Sequence, residues 1–333
     1  MDAGAGGGVM KPIPLGLLPP TYGNVPGTVA DAALAGFGDA PCPCGSGKAD
    51  YSCCLDGDGC WSPTALTIRR TAGPTGRRVN GCYAAALDDC DGVLSREHYI
   101  SDCVLRSVAE TPVLEGIRGA GRIVGAKNMV ARVLCERHNS MLSPLDTLAL
   151  RFTEVVRAIF PGMPRSTFSS RGDTHLFHAG DLARVLLKSL CAGEAGAVFD
   201  STMPSERGWV PPPSWLNVLF DDGPWPTGWG LYVPVLRSNV DKNAERITFS
   251  RRVDQHGRLV GAEYVVGGLP FMIFMADLRG LSDWGEPQFL SVHAHPSRVV
   301  VHVQGAATTL AFGRRADGRD LTINHRIGAA SAA

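Results

Sequence analysis

The sequence predicts an α+β chain of three parts: a small metal-binding knuckle, a metal-stapled module of the treble-clef type and a β-rich antiparallel C-terminal domain. Three observations predict it. Cys42, Cys44, Cys53 and Cys54 form a tight thiol cluster near the N-terminus. Cys82, Cys90, Cys135 and His138 supply a second set of four soft or borderline ligands, split into two distant pairs. After residue 240, short apolar runs alternate with turn residues, the pattern of antiparallel strands.

In chain order, residues 1–37 are rich in Gly, Ala and Pro without hydrophobic periodicity, and are expected to form a disordered arm. Residues 38–59 hold the knuckle, with the pattern C-x-C-x8-C-C around Gly45 and Gly47. Two short turns in that spacing present four thiolates to one tetrahedral zinc ion. A phosphate-loop reading of Gly45–Lys48 fails, because Cys42 stands where glycine is needed and Ala49 where Ser or Thr is needed. Residues 60–79 read as a linker whose Arg69, Arg70, Arg77 and Arg78 can meet a phosphate backbone.

Residues 80–160 carry the second ligand set, C-x7-C and then C-x2-H, a closed zinc site of the treble-clef type. Between the pairs stands Glu97-His98-Tyr99-Ile100, and Asn139 follows the last ligand directly. Ser101 is expected to cap a helix that buries Val104, Leu105 and Val108 and ends before Pro112. Ser143-Pro144 is read as the start of a second helix, with Leu145, Leu148, Phe152, Val155, Val156 and Ile159 as its apolar stripe. Asp146 would then sit in a first turn, where its charge favours the helix dipole.

Residues 161–326 are expected to form the β-rich domain. A helix from Gly180-Asp181 precedes a Trp- and Pro-dense stretch at 209–234. Strands are expected at Arg246–Val253, Arg258–Val266, Leu269–Met275, Arg298–Val303 and Thr308–Phe312. The tryptophans suit a packed core better than base stacking, and His175, His178, His293 and His295 read as structural histidines. Residues 327–333 are expected to fray.

Composition bounds the function. The chain has 333 residues, a formal net charge of zero, 44% hydrophobic content and ten cysteines. No apolar run approaches the roughly 18–20 residues of a membrane span, and the N-terminal residues lack the pattern of a secretory signal. Ligand sets absorb seven of the ten cysteines, so a reducing, cytoplasmic setting is expected, with Cys60, Cys103 and Cys191 left over. Residues 69–137 hold eleven Lys and Arg against eight acids, a small positive surplus.

The knuckle resembles the SEC-C motif, the zinc knuckle first known from the tail of the preprotein translocase ATPase. That likeness implies one structural zinc ion and docking of a protein partner. Residues 80–160 resemble the zinc-stapled HNH nucleases, a ββα-metal fold, with their E/D-H-I-I-P-like and C-x2-C-N or C-x2-H-N segments. Ser101 replaces the usual proline, and Asn128 is the nearest counterpart of the middle asparagine.

That second resemblance implies a metal-dependent endonuclease acting on nucleic acid, DNA before RNA. His98 would be the general base. Glu97 and Asn139 would hold one Mg²⁺ or Mn²⁺, and Asn128 and Asp146 would be accessory. Arg69, Arg70, Arg77, Arg78 and Arg96 would contact phosphates. The other reading is a non-catalytic zinc adaptor that recruits protein or nucleic acid through the two modules.

Overall fold

The computed structural model describes residues 42, 44, 46, 48, 52–54, 65–68, 73–108, 113–115, 129–159, 174–199, 208–221, 225–234, 246–276, 292–294, 298–303, 306–312 and 322–327. The expected arm at 1–37, Arg69, Arg70, Cys60 and Asn128 lie outside them. Strand β1 (Leu94–His98), helix α1 (Asp102–Val108), strands β2 (Val113–Glu115) and β3 (Val130–Cys135) and helix α2 (Glu136–Ala158) come first. Then follow β4 (Thr174–Leu176), α3 (Ala179–Ala195), α4 (Pro213–Phe220) and β5 (Gly230–Pro234). Seven strands finish the order: β6 (Arg246–Val253), β7 (Leu259–Val266), β8 (Leu269–Phe274), β9 (Val292–Ala294), β10 (Arg298–Val303), β11 (Ala306–Ala311) and β12 (Thr322–Ile327). The chain is therefore α+β.

Strands β1 and β3 pair antiparallel, with a bulge between Ser95 and Glu97. Helix α2 follows β3 directly. Its first-turn amides have no partner within the helix; Glu136 N donates to Val93 O at 3.0 Å and Arg137 N to Asp91 O at 3.5 Å. The turn before β1 thus caps the helix after β3 and closes a ββα unit.

Ser143-Pro144, read from sequence as a helix start, lies inside α2. Proline has no N–H for the carbonyl four residues back, and that carbonyl belongs to Ser140. The Ser143 hydroxyl donates to it at 2.9 Å, which lets the helix continue. Asp146 accordingly sits mid-helix. The hydroxyl of Ser101, expected to cap α1, donates to Asp146 Oδ1.

Among the described residues the strands other than β1 and β3 form two mixed sheets where an antiparallel domain was expected, because strands distant in the chain pair side by side; the four-stranded sheet is antiparallel only at β10–β11. One has the order β2-β6-β7-β8-β5-β9 and the other β12-β10-β11-β4. Gly267 and Gly268, both at positive φ, turn β7 into β8 in two residues, as a type I′ hairpin requires. Asp254 Oδ1 accepts from the amides of His256 and Arg258, 2.9 Å each, to fold the β6–β7 turn. Parallel pairs also occur, β2 with β6, β10 with β12 and β11 with β4, and α3 and α4 accompany the strands.

Helix α3 joins the halves. It packs on β1, β3 and α2, and also on β5, β7, β8 and α4. Its apolar residues belong to one buried cluster that runs from Ile68 to Phe312. Among the described residues no helix is long and apolar enough to cross a membrane.

Candidate metal centres and the buried lysine

Both predicted ligand sets come together. In each, the four ligand atoms lie within 4.8 Å of one another. Zn–S bonds of about 2.3 Å and Zn–N bonds of about 2.0–2.1 Å place tetrahedral ligands about 3.5–3.8 Å apart. In the knuckle, Cys53 Sγ lies 3.5 Å from Cys44 Sγ and 3.6 Å from Cys54 Sγ. In the second set, His138 Nδ1 lies 3.5, 3.8 and 3.2 Å from the sulfurs of Cys82, Cys90 and Cys135. Four soft or borderline donors with the edge lengths of a zinc tetrahedron fit zinc, and every described cysteine is a free thiol.

Local structure sets each cluster. Cys42 N donates to Lys48 O at 2.7 Å, closing the loop between the knuckle's ligand pairs, and Ser46 Oγ lies 3.2 Å from Cys53 Sγ. The second set is fully enclosed, with Cys90, Cys135 and His138 at 0% exposure. Its first two ligands flank a 3-10 turn at Ala85–Leu87. Tyr83 N donates to Val133 O at 2.8 Å, which ties that loop to β3, and Cys90 N donates to Arg77 O at 2.9 Å, which ties it to the segment before it. Cys135 and His138 come from the β3–α2 junction, and the Cys135 amide points at Cys82 Sγ, 3.4 Å away. The His138 ring meets Phe220 edge-on at 5.1 Å.

An ion pair not read from sequence braces this site. Arg137, between the second pair of ligands, lies 2.9 Å from Asp89, the neighbour of Cys90. Asp89 is fully buried and also accepts from Thr75 N at 3.1 Å. The only local signal was adjacency, since each partner stands next to a ligand.

Burial pushes the thiols of Cys42, Cys82 and Cys90 up. Burial also acts on Cys44, but hydrogen bonds with Ser46 and Cys42 outweigh it and bring that thiol down to about 7. Metal binding has to displace the retained protons, which couples zinc affinity to pH.

Glu97, His98 and Asn139 occupy three different environments. Successive strand side chains face opposite sides. Glu97 points into the core at 3% exposure, with Lys188 Nζ of α3 at 3.0 Å. Lys188 Nζ also donates to Asp146 Oδ1 at 2.6 Å. Burial lowers the Lys188 pKa, but the two carboxylates outweigh it and hold the amine above its ordinary value. Burial raises Glu97 against the pull of Lys188.

His98 stays at the rim with its side chain 28% exposed, Nε2 3.6 Å from Asp102 Oδ1. Asp102 also pairs with Arg106. Burial lowers the His98 pKa, against the pull of Asp102. Asn139 is half-buried in the first turn of α2, and among the described residues no hydrogen bond joins it to Glu97 or His98. Of the arginines expected to meet phosphate, Arg77 pairs with Asp91 at 3.5 Å and Arg78 with Asp88, all on the surface. Arg96 is exposed on β1.

Sequence reasoning missed Lys188. Its signal was a lone lysine amid Leu182, Val185, Leu186, Leu187 and Leu190 of one helix. Among the leftover thiols, Cys103 Sγ donates to the Asp146 carbonyl at 3.4 Å and Cys191 is wholly buried. His178 caps α3, its Nδ1 accepting from Asp181 N at 3.2 Å. No family model, no curated protein and no solved structure matches this chain.

Proposed function

We propose that this chain is a non-catalytic adaptor. Two structural zinc ions staple a SEC-C-like knuckle and an HNH-like treble clef, and the ββα unit engages nucleic acid without cutting it. One observation carries the choice between adaptor and nuclease. Glu97, the carboxylate that resemblance assigns to a catalytic ion, already has a cation, Lys188 Nζ, at 3.0 Å inside the core. A divalent ion at Glu97 and Asn139 would have to displace that ammonium, which Asp146 also holds.

The surface of the β1–β3 pair supports nucleic acid as the partner. Around the β1 bulge, Ser95 pairs with Leu134 and Glu97 with Ala131, so Arg96 faces the Arg132–Val133 step of β3. Arg96 and Arg132 are both exposed, and two neighbouring guanidiniums suit a phosphate backbone. The knuckle remains the place for a protein partner.

A nuclease is the second reading, and His98 is what favours it. It stands at the end of β1 beside Asp102, and burial keeps its imidazole neutral at a pH where an ordinary histidine begins to charge. A neutral ring is what a general base needs.

Gel shift and plasmid nicking on the same zinc-loaded protein separate the readings. The adaptor binds duplex and leaves supercoiled DNA intact with Mg²⁺ or Mn²⁺. Replacing Arg96 and Arg132 with Ala reduces the slope of log K against log salt by about 0.9 per lost contact. Nicking that disappears in His98→Ala would establish the nuclease. No duplex binding at low salt would remove nucleic acid as the partner.

A further inference from the structure

Away from both metal clusters, a cavity of about 390 Å³ opens between the end of α3, the segment leading into α4, and the β6–β7 turn. That volume lies in the range of small-molecule sites, about 300–1,000 Å³. Its walls include Trp209, Trp215, Glu194, Arg251, Arg258 and Leu259. Trp215 is buried and meets Trp209 edge-on, with ring centroids 5.8 Å apart. Trp209 is only partly buried, so the packing of Trp215 holds in place an indole that still borders the opening.

The polar groups narrow the ligand class. Glu194 and Arg251 form an ion pair whose side chains are 3% and 11% exposed, with Arg251 Nη1 3.3 Å from each carboxylate oxygen. Arg258 stands at the rim, its side chain 74% exposed and its Nε held by Asp254 Oδ2 at 2.7 Å. Among the described lining residues the charged groups are Glu194, Arg251 and Arg258, and Asp254 balances Arg258 through its Nε. A flat aromatic wall, a buried acceptor pair and a fixed rim cation together match a planar ring that carries edge donors and a phosphate.

We infer that this cavity binds a guanine nucleotide, either free or as an unpaired residue of a single strand. The base stacks on Trp209, an interaction indifferent to base identity. Ionised Glu194 only accepts hydrogen bonds, and each oxygen has a lone pair beyond the one used by Arg251. Guanine offers two adjacent donors, N1–H and the exocyclic N2–H, to such a pair. On the corresponding edges of adenine, cytosine and uracil an acceptor stands beside the donor, facing the carboxylate. Arg258 meets the phosphate. The site goes beyond the adaptor reading and depends on neither zinc cluster.

The test is titration of full-length zinc-loaded protein with GMP, guanosine, AMP, CMP, UMP and a short single-stranded guanine-containing oligonucleotide. Tryptophan fluorescence and calorimetry provide the readouts. GMP is expected to bind saturably and more tightly than the other three nucleotides. Trp209→Leu should weaken it about tenfold or more, and Arg258→Ala should bring GMP down to the affinity of guanosine. An unchanged thermal transition and zinc content in both variants separate lost binding from lost fold. Equal affinity for GMP and the oligonucleotide identifies a free nucleotide as the ligand, and much tighter oligonucleotide binding identifies a strand. Equal affinity for all four bases overturns the role of Glu194. No saturable binding into the millimolar range, or GMP binding unchanged in Trp209→Leu, overturns the site.

Discussion

Lys188 on α3 reaches the carboxylate of Glu97 on β1 at 3.0 Å, with both side chains about 5% exposed or less. The pair crosses from the ββα unit to the helix that carries the C-terminal sheets, and Asp146 of α2 closes it as a triad at 2.6 Å. Removing charges from water is costly, and mutual attraction offsets that cost only while each charge keeps its partners. The triad therefore fixes how three elements meet.

Lys188→Met tests that arrangement. Loss of one partner from a buried pair costs about 3–5 kcal/mol, and here two carboxylates are left. Without the ammonium the folded pKa of Glu97, already raised by burial, rises further above its unfolded value. The fold then binds that proton more tightly than the unfolded chain, so stability is lost as pH rises through the folded value. Denaturant unfolding should show the largest deficit near neutral pH and a smaller one in acid. A deficit independent of pH would mean that the cost is packing alone.

His98 gives the opposite sign. Its folded pKa lies below the ordinary value of 6.5, so the unfolded chain takes up the proton first as pH falls. Stability present above the ordinary value is lost as pH drops from it through the folded one. His98→Gln should retain both metals and stay within about 0.5 kcal/mol of the parent in mild alkali, while losing part of the parent's decline in mild acid. Parallel pH profiles for the two proteins would contradict a depressed His98.

These contrasts follow what was readable in sequence. The metal ligands were legible because Cys and His carry their chemistry in the side chain, and fixed spacing is enough to group them. The expected strands at 246–253, 258–266 and 269–275 lie within a residue of β6, β7 and β8, because Asp254–Gly257 and Gly267-Gly268 mark the turns locally. Pro144 misled, since its local signal is a helix start and the Ser143 hydroxyl that rescues the helix leaves no trace in a propensity. The parallel β10–β12 and β11–β4 pairs and the Lys188 triad were not legible, because they join residues distant in the chain. Trp215 and α4 were obscured by the prolines around them.

Gly261 shows the same dependence on distant neighbours. It pairs with Phe274 across β7–β8, and a Cβ there would meet the Ile273 carbonyl oxygen at 2.0 Å. Backbone cannot yield as a side-chain tip does, so Gly261→Ala should destabilise by about 1–3 kcal/mol. Thermal unfolding at constant zinc content measures it, and a neutral result would mean that β7 and β8 stand further apart.

Zinc stoichiometry of the full chain, purified under reducing conditions, tests the whole account most directly. Each complete ligand set should hold one ion, giving about two zinc ions per chain. Cys44→Ser should retain one and keep the cooperative melt of the ββα unit. Cys135→Ala should lose the other ion and that melt together, because structural zinc binding is part of the folding free energy. One zinc ion or none in well-folded parent protein, or two in either variant, would contradict the account.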